Sequence, residues 1–373
     1  MMKILIPGVG NAQVDFIKVC KSFGYEVFTC SYKDEGKGRY FSDQFNVINI
    51  VDADTIEAFM RDNEISQVYT VGSDLAMPTV SKVAKALEIP HFISEDTARI
   101  CNTKNLLRAE LENLNDGHYS IAYKTLLNFE DFRGWNHFPA IVKPVDGQGQ
   151  RGITIVNSAK DLKDAFEWAI KHSIKKQVIV EEYIEGFEIS VNGYIVNSDL
   201  KFNFVSERIS FSEYPGGIIK SHLFPVSKSY NNKALHQLLN DVCTHLVIQN
   251  GPVYFQIKID HLGFPKLIEV TPRLDGCHLW NLIFRIGGPN LLEITLKHLE
   301  GCIPSTKDLE FNLNSVRNAS LDFFTQNPNS NMDKSNFITN RYATYVEWYY
   351  DNDEKIKPIN NFQEKVGYQI IIQ

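Results

Sequence analysis

No apolar run in this chain approaches the roughly 20 residues that a membrane span requires, and there is no C-x-x-C pair and no basic run. The opening "MMKILIPGVG" passes directly into a short strand, without the apolar core and cleavage site of a secretory leader. A cytoplasmic location is therefore expected. Cys20, Cys30, Cys101, Cys243, Cys277 and Cys302 are scattered and do not cluster with histidine, so neither a disulfide nor a zinc role is assigned to them. A formal charge of −7 with acids and bases interspersed argues against nucleic acid or an anionic membrane as partner. Also missing is the third glycine of a dinucleotide fingerprint: Gly8 and Gly10 follow the first strand, but position 13 is Gln. A strand-to-helix turn is the ordinary reading of that loop, with a nicotinamide-dependent oxidoreductase as a competing one.

What the sequence does have is enough apolar material for substantial cores, with 43% hydrophobic and 12% aromatic residues in 373. Over residues 1–100, short apolar strands such as "KILIPG" and "YEVFTCS" alternate with amphipathic segments such as "NAQVDFIKVCKSFG". That alternation predicts a Rossmann-like parallel sheet with helices on both faces. Residues 101–125 read as a linking helix, "TARICNTKNLLRAEL", and a loop. Residues 126–185 form a compact unit of strands and one helix that reads as a lid. Longer antiparallel strands follow in 186–305 ("EISVNGYIV", "KFNFVSERI", "PVYFQIKID", "PKLIEVTP"), giving an α+β core. The Asn-rich remainder, 306–373, is expected to be a small C-terminal appendage.

The stretch "FPAIVKPVDGQGQRGITIV" joins a lysine at the end of an apolar strand to a loop with three glycines and then a second strand. One hairpin turn does not need three glycines. Spaced through a polar loop, they point to a backbone lying close against a phosphate. Further on come "VEEYIEGFEISV", an E-x-Y-I-x-G-x-E arrangement, and the paired strands "VYFQIKID" and "LIEVTPR" joined by "HLGFP". In order and content, from Met2 to about Cys302, these elements resemble the ATP-grasp ligases, the superfamily of biotin carboxylase, carbamoyl phosphate synthetase and D-alanine:D-alanine ligase.

The resemblance implies an α/β and α+β multidomain ATP-grasp fold and a site for ATP. It brings Lys104 and Lys143 to phosphate oxygens and closes the loop of Gly147, Gly149 and Gly152 over the β and γ phosphates, with Arg151 adding charge. Glu181 would lie near the adenine amino group, the backbone of Glu182 and Ile184 at the base edge, and Glu188 at the ribose. Period-two alternation puts Gln256 on one face with Tyr254 and Lys258, and Glu269 with Thr271. By resemblance Gln256, Glu269 and Thr271 hold Mg²⁺ or Mn²⁺. The family usually has Asn where this chain has Thr271, which leaves one carboxylate in the set. Arg273 would lie beside the transferred phosphate and, with Lys143, carry the catalytic charge. Asp275, Cys277 and His278 are candidates for contacts to the second substrate. The loop "FSEYPGGIIKSHLF", with Lys220 and His222, borders either the acceptor pocket or the surface.

The expected reaction is ATP-dependent activation of a small carboxylate as an acyl phosphate, followed by attack of an amine. A homodimer is admitted as an assembly. An ATP-binding regulatory module without turnover competes with this reading, and the Gln256 and Thr271 replacements are what favour it.

Overall fold

Residues 2–112, 114–146, 151–212, 217–312, 318–358 and 363–373 are described in the computed structural model. The chain begins with β1 (Lys3–Pro7), α1 (Asn11–Ser22), β2 (Glu26–Ser31), β3 (Gln44–Val47), α2 (Ala53–Asp62), β4 (Gln67–Val68) and α3 (Met77–Ala86). Its four strands form the expected parallel sheet, in the order β3-β2-β1-β4. Consecutive residues of β1 face opposite sides. Ile4 and Ile6 pack with Phe16 and Ile17 of α1, while Leu5 joins Phe28, Ile56, Met60, Val80 and Val83 beneath α2 and α3. Burial on both faces explains why β1 is apolar throughout instead of alternating.

The expected linking helix is two helices, α4 (Glu95–Asn102) and α5 (Lys104–Leu111). Thr103 between them is extended, at φ −122° and ψ 105°. The Lys104 N–H there donates to the Val145 carbonyl (3.1 Å), so a tertiary contact to the lid takes an amide that a continuous helix would have kept.

The lid comprises β5 (Tyr123–Leu126), β6 (Ala140–Pro144), β7 (Thr154–Val156), α6 (Leu162–Lys171) and β8 (Val178–Glu182). It is an antiparallel sheet in the order β5-β8-β6-β7. Leu162, Ala165, Phe166 and Ala169 form one stripe of α6 and bury it against Leu126, Val142, Val156, Val178 and Val180. This small core is separate from the main one.

The rest of the chain builds one large antiparallel sheet from β9 (Gly186–Val196), β10 (Asp199–Ser210), β11 (Ile219–Phe224), β12 (Gly251–Asp260), β13 (Pro265–Thr271), β14 (Ala319–Gln326), β15 (Ala343–Trp348) and β16 (Glu364–Ile372). Helices α7 (Asn232–His245), α8 (Leu279–Arg285) and α9 (Leu291–Leu299) pack against it. The strand order is β13-β12-β9-β10-β11-β14-β16-β15. Residues beyond 306, read from sequence as an appendage, thus supply three strands of the central sheet. β14 pairs with β11 and covers an edge that would otherwise present unpaired amides and carbonyls.

Gly186 has a specific structural duty at the start of β9. Its φ is +145°, and a Cβ there would lie 1.8 Å from the Ile259 carbonyl oxygen of the adjoining strand. Gly287, at φ +89°, has nothing within 4 Å of its Cβ direction. Gly287→Ala is expected to cost only the strain of a left-handed residue, about 1–2 kcal/mol. Gly186→Ala adds a backbone collision and is expected to lose clearly more. Urea denaturation midpoints of the two variants test this, and equal losses would refute the close β9–β12 approach.

Candidate functional site

The centre of the site is a buried carboxylate. Glu181, 1% exposed on β8, binds Lys143 Nζ of β6 through Oε2 (2.5 Å) and Arg108 Nε of α5 through Oε1 (2.9 Å). Burial alone would raise the Glu181 pKa, but the two cations hold it down at about 2. The remaining Arg108 nitrogens donate to the carbonyls of Leu267 (2.8 Å) and Ile268 (2.9 Å) on β13. One carboxylate therefore ties the lid, the linking helix and the strand carrying Glu269. The oxygen atoms expected at a base amino group are both engaged within the protein, and Glu181 acts here as the anchor of Lys143. Burial, with Arg108 and Lys104 nearby, pushes the Lys143 pKa down. Lys104 at the start of α5 thus shares a field with Lys143.

Next to it, Glu182 is half-buried. Its N–H donates to the Ala122 carbonyl (2.9 Å), and the Tyr183 N–H to that of Pro139 (2.9 Å). Ile184 follows, half-buried, in the short connection to β9. Gly147 and Gly149 lie outside the described residues. Arg151 is exposed. Gly152, at φ +75°, backs onto His172 and Pro144, where a Cβ would come within 2.8 and 3.0 Å. Packing within the lid is sufficient reason for that glycine.

On the central sheet, Glu188 of β9 sits between Arg208 of β10 and Lys258 of β12, its direct cross-strand neighbours. Arg208 Nη1 bonds Oε2, Lys258 Nζ lies 3.7 Å from Oε1, and Gln256 Nε2 donates to Oε2 (3.0 Å). Burial opposes ionisation of Glu188, but the two cations outweigh it and the pKa is lowered. Gln256 is in turn paired with Glu269 across β12 and β13, and Tyr254 with Thr271. Phe255 and Ile257 point the other way, into the core. Among the described residues no hydrogen bond reaches the buried Thr271 Oγ1. Carboxylate, amide oxygen and hydroxyl form an all-oxygen donor set, which fits a hard divalent cation such as Mg²⁺.

Arg273, 6% exposed, makes a fork to Asp74 of the loop after β4, with Nε to Oδ1 and Nη2 to Oδ2 both at 2.7 Å. Around it the Gly72 N–H donates to the Leu274 carbonyl (3.0 Å), and His278 Nδ1 lies 2.8 Å from Asp15 of α1. The N-terminal domain thereby holds the 273–278 loop from one side. Gln13 fills the loop of Gly8 and Gly10: its amide donates to the Val71 carbonyl, and a Cβ on Gly10 would meet its Oε1 at 2.9 Å. A dinucleotide pyrophosphate has no cradle there.

Sequence reasoning missed Asp74, Arg108, Arg208 and Lys365, and placed Lys258 on the face of Gln256 without giving it a role. For Arg108 a signal existed, because it occupies an apolar-stripe position with Leu107 and Leu111. Arg208 could have been found by alternation along β10 with Ser206 and Ser210. Asp74 lies in a loop whose partner is 199 residues away, and no local pattern announces it.

Residues 136–279 match the ATP-grasp domain family. In sequence, the chain is 25% identical over 203 residues to a formate-dependent phosphoribosylglycinamide formyltransferase of Erythrobacter litoralis, covering 51% of this chain and 50% of that protein. It is 32% identical over 118 residues to a D-alanine–D-alanine ligase of Aquifex aeolicus, covering 30% and 38% respectively. These matches span half or less of the relatives' length. In structure, an L-amino acid ligase from Bacillus licheniformis superposes with a TM-score of 0.80 at 17% identity, covering 100% of this chain and 93% of that one. The fold is therefore ATP-grasp from end to end.

Glu181→Gln is expected to destabilise the protein by about 3–5 kcal/mol, because two buried cations lose their shared anion. Glu181 has a folded pKa below its unfolded value, so its contribution is complete above about pH 4.5 and falls away as pH drops toward 2. Denaturation of wild type and variant between pH 2 and 6 should show a constant gap above that window and a shrinking one inside it. A gap independent of pH would mean that Glu181 is not ionised in the folded state.

Proposed function

We propose that this chain, an ATP-grasp protein by its domain match and its fold, is an ATP- and Mg²⁺-dependent ligase joining a small carboxylate to an amine with release of ADP and phosphate. The observation that carries the proposal is the Arg108–Glu181–Lys143 cluster, which fixes a buried ammonium on lid strand β6 and bonds to the strand bearing Glu269.

Each residue has a role in that reading. Lys143 and Lys104 bind phosphate oxygens, with Glu181 keeping Lys143 oriented. The main chain at Glu182 and Ile184 takes the base edge, and Glu188, held by Arg208 and Lys258, faces the ribose. Glu269, Gln256 and Thr271 would hold the divalent ion, Mg²⁺ or in its place Mn²⁺, which would supply neutralisation of phosphate charge. A substrate carboxylate oxygen attacks the terminal phosphorus, and ADP leaves with the electron pair of the broken P–O bond. The amine nitrogen then attacks the acyl carbon, phosphate departs, and the amine loses a proton. Arg273, aimed by Asp74, is placed to stabilise the phosphoryl oxygens. No protein nucleophile is needed, so catalysis is positioning and charge neutralisation. We also assign the protein to the cytoplasm, where MgATP is supplied.

ADP release from ATP and Mg²⁺, screened against pairs of small carboxylates and amines, tests the reaction. Turnover in the presence of both substrates is expected. Slow hydrolysis indifferent to every added acid and amine would overturn the ligase reading in favour of a nucleotide-binding module. Lys143→Ala is expected to weaken ATP binding by calorimetry by about 1.5–3 kcal/mol, the loss of one charged contact. Glu269→Gln should abolish turnover while sparing the fold, because it removes the only carboxylate of the metal set. Thr271→Asn should retain or raise it. Full activity in Glu269→Gln would remove the metal assignment.

A further inference from the structure

β5 is an outer strand of the lid sheet, and it lines a cavity of about 480 Å³. That volume is in the range of small-molecule sites. The walls come from two stretches of chain, Glu112 with part of 117–124 and part of 133–137. None of Lys104, Lys143, Glu181, Glu188, Gln256 or Glu269 lines it, so the cavity is separate from the site described above.

Four kinds of group meet in these walls. The first is main chain. The Glu182 N–H donates to the Ala122 carbonyl (2.9 Å), and Tyr123 stands opposite Glu181 in the next rung. Bonded and non-bonded pairs alternate along an antiparallel ladder, so the N–H and C=O of Tyr123 are turned away from β8 toward the free edge. They offer one donor and one acceptor side by side. The second group is a flat ring. Trp135 packs on the lid core, and its Nε1 donates to the His137 carbonyl (2.9 Å), which holds the indole in one plane.

The third is positive charge. Lys124 Nζ donates to the Arg133 carbonyl (3.1 Å), and among the described residues no carboxylate lies within 4 Å of the Lys124 ammonium or the Arg133 guanidinium. Asp131 lies in the field of Lys124, but its Oδ2 is taken by the amides of Leu127 (2.7 Å) and Asn128 (2.9 Å). The fourth is a carboxylate, Glu112, whose Oε2 accepts the Tyr123 hydroxyl at 3.4 Å. Two cations without a paired acid favour an anion, and phosphate suits them best. The indole and the main-chain pair favour a flat heterocycle, and a carboxylate accepts from hydroxyls.

We propose that this cavity is a second nucleotide site, taking a purine nucleoside phosphate with its base edge on the Tyr123 main chain, its ring on Trp135, a ribose hydroxyl on Glu112 and its phosphate on Lys124 and Arg133. An extended peptide would use the same free edge, but it brings no phosphate to the two cations. Occupation has a route to the catalytic site. Tyr123 pairs with Glu181, and His137 Nδ1 stands 3.9 Å from Glu182 Oε2, next to the connection between lid and core. A ligand that joins 117–124 to 133–137 therefore bears on the strand whose carboxylate anchors Lys143.

Calorimetry of the full chain, with Mg²⁺ and a saturating non-hydrolysable ATP analogue present, tests the site with AMP and GMP as titrants. One further nucleotide per chain is expected, and the two titrants show which base is taken. Adenosine, without the phosphate, and ribose 5-phosphate, without the base, should each bind about tenfold or more weaker, the value of one charged contact. Arg133→Ala and Lys124→Met should each weaken nucleotide binding by a similar factor and leave the affinity for the analogue unchanged. Thermal melts of both variants check the fold. Uptake of neither AMP nor GMP beyond the analogue, or unchanged affinity in both folded variants, would overturn the site. Inorganic phosphate bound as tightly as AMP would reduce it to an anion site and overturn the nucleotide assignment. Trialanine bound in place of either nucleotide would identify a peptide groove instead. None of these outcomes depends on ADP release, so the site and the ligase reading can fail separately.

Discussion

The ion pair cluster at Glu181 is the constraint on which the rest of the site depends. A carboxylate 1% exposed between an arginine and a lysine is tolerable only if both cations stay within bonding distance. Lys143 is on the lid, Arg108 on the linking helix, and Arg108 also holds two carbonyls of β13. Separating any of these elements leaves a buried charge uncompensated. The lid has its own apolar core, and the charged cluster at Glu181 is what joins it to the linking helix and, through Arg108, to β13.

The second constraint is the period of two on the central sheet. Because side chains alternate, one register fixes Arg208, Glu188 and Lys258 in a row across three strands, and places Gln256 against Glu269 on the same face. The opposite face of the same strands is Ile189, Val191, Phe255 and Ile257, which are buried in the main core. A slip of one residue would exchange these sets and put charge into the core. Core burial thus enforces the functional geometry, although no core residue takes part in the chemistry.

Strand and helix types, the lid and the two faces of β12 and β13 were legible in the sequence, because each follows from a local pattern of apolar spacing. The strand positions of Gln256 and Glu269 were legible too, as polar residues that interrupt burial on β12 and β13. What was not legible is long-range. Glu181 reads locally as an exposed strand end beside other acids, and only the fold shows that Arg108, 73 positions earlier, and Lys143 both reach it. The residues after 306 were misjudged for the same reason. β14 is mixed in character, and its place depends on the free edge of β11, which the sequence of β14 does not encode.

The N-terminal domain completes the site in a way that its dinucleotide-like beginning conceals. Gln13 closes the glycine turn from within, so the loop cannot serve a cofactor of its own. Its neighbours are turned outward to the core instead: Asp15 holds His278 and Trp280, Gly72 fits against Gly276, and Asp74 forks onto Arg273. A Cβ at Gly72 would meet Ala12 at 2.9 Å and Gly276 at 3.0 Å, so the loops can touch only because position 72 is glycine, whereas a Cβ at Gly276 would stand in ordinary contact at 3.6 Å. That closeness matters electrostatically. Arg273 is buried, and its bidentate fork to Asp74, with Nη1 on the Leu274 carbonyl, fixes the plane of the guanidinium. The N-terminal domain thus supplies the carboxylate that orients Arg273 on the next domain.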